Sequence, residues 1–137
     1  MKSYSVFETE MRVRPDDLDM NRHVHNSKYF DYVLAARYDQ MENNYKMRME
    51  EFIELGFGWV VSKAIIDYKR PLGLGDRFIV RTGIKEILKN GVIVLFEILK
   101  KDSPKICCSG DFHYIMVSNE TGRSVSIPTD IIEIYSI

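Results

Sequence analysis

The 137-residue chain predicts an α+β domain in which one long helix packs against one antiparallel sheet. Three observations carry this. Apolar residues recur at helical spacings from Tyr29 through Phe30, Val33, Leu34, Tyr38 and Met41 to Tyr45. Residues 3–13 alternate, with Phe7, Thr9, Met11 and Val13 on one face and Tyr4, Val6 and Glu8 on the other. From Gly58 onward the chain is rich in Val, Ile and aromatics, interrupted by Gly-, Pro- and Asn-containing turns.

In chain order, Pro15-Asp16-Asp17 ends the first strand, because proline lacks a ladder donor and acidic residues favour turns. The long helix spans about 26–45, roughly 30 Å at 1.5 Å per residue. Asn26 or Ser27 can cap its start by accepting a first-turn N–H. A shorter helix over 47–55 ends at Gly56, suited to a left-handed cap. Strands follow over 59–68, 77–88, 92–99 and 106–117. Gly73-Leu74-Gly75-Asp76 separates the first two, and Lys89-Asn90-Gly91 is a hairpin signal in which both central residues tolerate positive φ. The tail from Ser126, with Pro128, is assigned no element. One domain therefore covers 1–137, and its exposed sheet edges favour self-association.

Composition narrows the function classes. Nineteen Lys and Arg against twenty Asp and Glu give a formal charge of −1, so no global basic field exists to hold nucleic acid. No run of about 20 apolar residues suggests a membrane span, and the N-terminus lacks an apolar core of signal-peptide length. Cys107 and Cys108 are adjacent, where disulfide geometry is strained. They read as reduced thiols, and the expected compartment is cytoplasmic.

The chemistry-bearing segment is Asp17-Leu18-Asp19-Met20-Asn21-Arg22-His23-Val24-His25-Asn26, directly ahead of the long helix. A helix start offers unpaired N–H groups and a partial positive charge, which can hold a carbonyl oxygen as it becomes negative. If the loop is extended, Asp19, Asn21 and His23 alternate onto one side: a carboxylate, an amide and a proton carrier. Such parts suggest hydrolysis of an activated acyl group. Plainer readings compete. Asp17 and Asp19 can simply cap the turn and the helix, and His23 can be a packed polar residue at the loop base. His23 and His25 can pair on a metal, but His113 is the only other histidine and no cysteine is near, so no metal or other cofactor is expected.

The run from Asp17 to Tyr29 resembles the signature of hotdog-fold thioesterases, closest to the plant acyl-ACP thioesterase pattern D-L-D-x-N-x-H-V-x-N-x-K-Y. The acyl-CoA thioesterases of the 4-hydroxybenzoyl-CoA thioesterase and YbgC-like group share a looser form. Tyr68-Lys69-Arg70-Pro71-Leu72, the Gly75-Asp76 turn and Ile127-Pro128 extend the likeness along the chain. The resemblance implies a central helix wrapped by a curved sheet of about five strands, paired as a homodimer or homotetramer with sites at subunit interfaces. It carries a catalytic acid onto Asp19, a supporting amide onto Asn21, an imidazole onto His23 and a thioester-polarising backbone N–H onto Asn26. Two departures stand out: Arg22 where many bacterial relatives have Gly, and His25 where plant-type sequences often have Asn.

The expected function is cleavage of acyl-CoA to free acid and coenzyme A. Acyl-ACP hydrolysis and a non-catalytic acyl-CoA-binding role are the alternatives. Lys69, Arg70 and Lys100, with Lys101 and Lys105, are candidates for substrate phosphates, set against solvated hairpin ends. Met41, Met47 and Met49 suit either an acyl tunnel or ordinary helix packing. His113 reads as structural.

Overall fold

A computed structural model describes residues 3–137. The elements are β1 (Val6–Arg12), a single 3-10 turn (Pro15–Asp17), α1 (Asn26–Asn43), α2 (Met49–Glu54), β2 (Phe57–Tyr68), β3 (Arg77–Ile87), β4 (Gly91–Lys100), β5 (Ile106–Ser118) and α3 (Thr129–Tyr135). The five strands form one antiparallel sheet in the order β1-β3-β4-β5-β2. Irregular register in the β2–β5, β3–β4 and β4–β5 pairs marks bulges, which bend and twist a sheet. No helix among the described residues is long and apolar enough to cross a membrane.

The sheet packs along α1 through two apolar clusters. Near the start of α1, Tyr29, Tyr32 and Val33 meet Phe78, Phe96 and Phe112. Beyond its middle, Met41 and Tyr45 join Phe52, Met116 and residues of α3. The buried stripe of α1 also contains Arg37 and Gln40, which apolar spacing alone does not select. Gln40 Nε2 donates to Thr9 Oγ1 at 3.0 Å, and Thr82 Oγ1 donates to Gln40 Oε1. A polar chain thus crosses from the helix to the sheet. Cys107 and Cys108 are free and buried.

Several boundaries differ from expectation. β1 is shorter than 3–13 because Ser5 N–H donates to Ile137 O at 2.7 Å and Val13 N–H to Asp76 O at 2.9 Å, outside the ladder. α1 stops at Asn43, and Tyr45 is buried beyond its end. Gly56 adopts φ 88° after α2, as a left-handed cap. The β3–β4 hairpin forms, but neither Asn90 nor Gly91 takes a positive φ. Gly91 is required for a different reason: a Cβ there would stand 2.2 Å from Tyr114 O. The tail is not irregular; Ile127, Ile131 and Tyr135, four residues apart, are buried along α3 and the residue leading to it.

Candidate active site

The loop ahead of α1 is built around Asp17. Its carboxylate is 3% exposed, and Oδ2 accepts from Tyr32 O–H at 2.6 Å and Arg14 N–H at 3.0 Å. Tyr32 stands on α1, so this carboxylate ties the loop to the helix. Burial, and then the bond to Asp17, push the Tyr32 hydroxyl pKa up. His25 N–H donates to Asp17 O at 2.8 Å, and Val24 N–H to Leu72 O at 2.9 Å. Bridges between Leu18 and Val24 and between His23 and Gly73 lay the loop beside 72–73.

Asp19 meets Asn21 and His23 through their backbone N–H groups, not through alternation of the three side chains along a strand. The loop reverses: Asp19 N–H donates to His23 O at 2.9 Å and Arg22 N–H to Asp19 O at 3.1 Å. Asp19 Oδ1 accepts from Asn21 N–H at 2.8 Å and from His23 N–H at 3.4 Å. A short acidic side chain readily closes such a turn on itself, which is why the extended geometry fails. Arg22 sits at φ 64°, the left-handed region. Asp19 is half-buried and, among the described residues, takes part in no ion pair; nothing donates to its Oδ2. The side chains of Asn21 and His23 lie on exposed residues.

The cap of α1 is His25, not Asn26 or Ser27. His25 Nδ1 accepts from Ser27 N–H at 3.2 Å and lies 2.9 Å from Ser27 Oγ. An imidazole occupied in this way is a poor metal ligand through Nδ1, and no cluster of three His, Cys, Asp or Glu suited to a metal occurs among the described residues. Asn26 becomes the first helical residue, and among the described residues nothing accepts from its backbone N–H. Tyr68 O–H donates to Asn26 O at 3.1 Å, joining the end of β2 to this helix start.

The basic residues sort differently from their sequence clusters. Arg70, Lys100 and Lys105 line one cleft of about 330 Å³ with Ser103. Lys69 lies outside it, 4.0 Å from Asp67, and Lys101 is 3.0 Å from Glu10. Arg70 stands three residues before Gly73, which pairs with His23, so the cleft lies within about 10 Å of chain from the loop. His113 Nε2 is 3.2 Å from Asp111 Oδ2, within the sheet.

A second cavity, of about 390 Å³, lies farther along α1 and touches none of the loop residues. Leu34, Tyr38 and Met41 of α1 line it, with Trp59 of β2, Tyr114 of β5 and Ile131 of α3. Met49 also lines it, whereas Met47 is buried in the core. Leu34 and Tyr38 of its wall lie eight and twelve residues beyond Asn26, about 12–18 Å along the helix from the free N–H. Sequence reasoning missed Arg37 and Tyr114 in this wall. Arg37 lies four residues after Val33, a spacing that places both on the buried face. Burial pushes the Tyr114 hydroxyl up to about 12, partly opposed by the Arg37 charge.

Comparison with known proteins identifies the kinship of the chain. A family model described as the thioesterase-like superfamily matches residues 13–134. The long-chain acyl-CoA thioesterase FadM of Escherichia coli K12 is 21% identical over 126 residues, covering 92% of this chain and 94% of that protein. The DHNA-CoA thioesterase of Staphylococcus aureus superposes with a TM-score of 0.88 at 17% identity, covering 96% of this chain and 89% of that one. The 1,4-dihydroxy-2-naphthoyl-CoA thioesterase of Synechocystis gives 0.85 at 19% identity, covering 96% of both chains. At these identities the superpositions establish the fold, and the family model establishes the kinship. The chain belongs to the thioesterase-like superfamily and has its hotdog fold.

Proposed function

We propose that the protein hydrolyses acyl-coenzyme A thioesters at the start of α1. The observation that carries this reading is an unpaired backbone N–H at Asn26 following a loop whose Asp19 keeps one carboxylate oxygen unengaged. The thioester carbonyl oxygen accepts from Asn26 N–H, where the helix dipole stabilises the negative charge that builds during attack. Asp19 orients a water molecule, and His23 takes its proton, since an imidazole is the better base near neutral pH. The tetrahedral intermediate collapses by breaking the C–S bond, and the coenzyme A thiolate leaves with that proton. Asn21 supports the loop position of Asp19 through its backbone N–H. Arg70 and Lys100, with Lys105, offer the substrate phosphates a charged cleft; Lys69 is not among its lining residues.

The relatives named above act on coenzyme A thioesters, which favours that donor over an acyl carrier protein. Pairing of two copies through β2 fits the same reading. That strand is a sheet edge, and its Val60, Ile65 and Tyr68 are 49%, 46% and 46% exposed. Light scattering measures the assembly. A cytoplasmic location suits the two free thiols.

The test is Asp19→Asn, assayed by thiol release from short, medium, long and aromatic acyl-CoAs. Turnover falls by about 10²-fold or more. Undiminished turnover removes Asp19 from the mechanism. Saturable acyl-CoA binding without hydrolysis by the wild-type protein replaces the enzyme reading with a binding one.

A further inference from the structure

The cavity along the second half of α1 is apolar except where Arg37 enters its wall. Arg37 is 7% exposed. A buried guanidinium is costly unless an anion or a full set of acceptors meets it. Its Nη1 donates to Thr82 Oγ1 at 3.1 Å and to Tyr45 Oη at 3.3 Å, and its Cζ stands 5.0 Å from the centre of the Tyr45 ring. Among the described residues no carboxylate pairs with it, and nothing accepts from Nε or Nη2. Glu50, next in sequence to the cavity-lining Met49, accepts from Tyr38 O–H at 2.8 Å through Oε2, which lies 4.0 Å from Arg48, and its Oε1 is buried without a partner among the described residues.

Arg37 is also held in place. Thr82 passes its own hydroxyl proton to Gln40, and Gln40 donates on to Thr9, so Thr82 is fixed as an acceptor for Arg37. The guanidinium is therefore preorganised, with unspent donors on its other edge. A second unspent polar group belongs to a residue of the same wall: the Tyr114 hydroxyl is sealed from solvent and has no hydrogen-bond partner among the described residues. An ordinary apolar pocket does not need either group.

We propose that this cavity takes an acyl group whose far end carries a carboxylate, which pairs with Arg37. This rests on the acyl-CoA reading above and names the substrate class: half-thioesters of medium-chain dicarboxylic acids. Arg37 lies eleven residues beyond Asn26, about 16 Å along the helix at 1.5 Å per residue. Eleven residues make about three whole turns, so Asn26 and Arg37 share one helix face, and a polymethylene chain laid along it would have its carbonyl at the helix start and its carboxylate at the guanidinium.

Trp59 is the only tryptophan and lines the cavity, so its emission reports occupancy directly. The whole protein is titrated with monomethyl dodecanedioate and, separately, with dimethyl dodecanedioate, which has the same chain and no charge. The monoester binds at least about tenfold tighter, as a charge-assisted contact to a buried partner requires. Arg37→Met brings the two probes to within about twofold. Equal affinities in the wild-type protein, a Trp59 signal that saturates with neither probe, or a preference that survives in Arg37→Met overturns the proposal. The wild-type comparison stands even if Arg37→Met fails to fold. Neither probe contains a thioester, so a failure of the hydrolysis reading and a failure of this one give separate results.

Discussion

Asp17 and Asp19 are chemically identical, lie two residues apart on one loop, and stand in opposite surroundings. Asp17 is sealed, and one of its oxygens accepts from both Tyr32 O–H and Arg14 N–H. Asp19 is half-buried; its Oδ1 is spent on the turn that contains it, and among the described residues its Oδ2 has no donor. The difference comes from neighbours distant in sequence. Tyr32 of α1 reaches back to Asp17, while Asp19 sits at the outer end of a reversal stitched to Gly73. Residue type alone does not separate a sealed anchor from a carboxylate with a free oxygen; the groups that donate to it do.

The sharpest way to break this comparison is to alter the two carboxylates in parallel. Asp19→Asn keeps an oxygen for the turn, so thermal stability stays within about 0.5 kcal/mol, while turnover drops about 10²-fold. Asp17→Ala does the reverse to stability. It leaves the buried Tyr32 hydroxyl and the Arg14 N–H without their acceptor, a loss of about 2–3 kcal/mol in denaturant unfolding. If Asp19→Asn destabilises as much as Asp17→Ala, both are anchors and the division is wrong.

Tyr32 sharpens the Asp17 side through pH. Its hydroxyl pKa is raised in the folded protein, first by burial and then by the carboxylate beside it. The folded state therefore holds a proton that the unfolded chain releases above the ordinary tyrosine value of 10.0, and stability falls as pH rises through that range. Tyr29 and Tyr114, both pushed to about 12 by burial, act in the same direction. Tyr32→Phe removes its share: unfolding midpoints measured from pH 9 to 11 decline less steeply than in the wild type. An unchanged slope would show that Tyr32 ionises as readily folded as unfolded.

How much of this was legible in the residue order differs between parts. The helix–sheet order and the identity of the loop follow from periodicity and from the D-L-D-x-N-x-H run. Arg37 and Gln40 did not, because a stripe defined by hydrophobicity omits polar residues whose partners, Thr82 and Thr9, come from distant strands. α3 was missed although Ile127, Ile131 and Tyr135 carry its spacing, since Pro128 beside them reads as a breaker and here stands at the helix cap. The shape of the Asp19 turn depends on Gly73, about fifty residues away, which no local pattern in the loop encodes.

His25 ties the Asp17 main chain to the helix start, since its N–H donates to the Asp17 carbonyl while its side chain caps the helix that presents Asn26. His25→Ala removes the side-chain acceptor for Ser27 N–H, at a cost of about 1 kcal/mol in unfolding experiments. His25→Asn, which supplies another good capping oxygen, restores most of that loss. A failure of Asn to restore it would mean that the imidazole matters for more than capping.

The smallest effect belongs to Arg22, on the Asp19 side alone. At φ 64° an arginine pays the steric cost of the left-handed region, about 1–2 kcal/mol, which glycine avoids. Glycine also makes the unfolded chain more flexible, which offsets roughly half of that gain. Arg22→Gly therefore stabilises the protein slightly, by at most about 1 kcal/mol in denaturant unfolding. The turn that holds Asp19 Oδ1 is made by the backbone of Asn21 and His23, and the exposed Arg22 side chain bonds to neither. Thioester turnover accordingly stays within about twofold of wild type. A large fall in turnover with stability unchanged would place the Arg22 guanidinium against the substrate and give the Asp19 side of the loop a charged partner that the Asp17 side lacks.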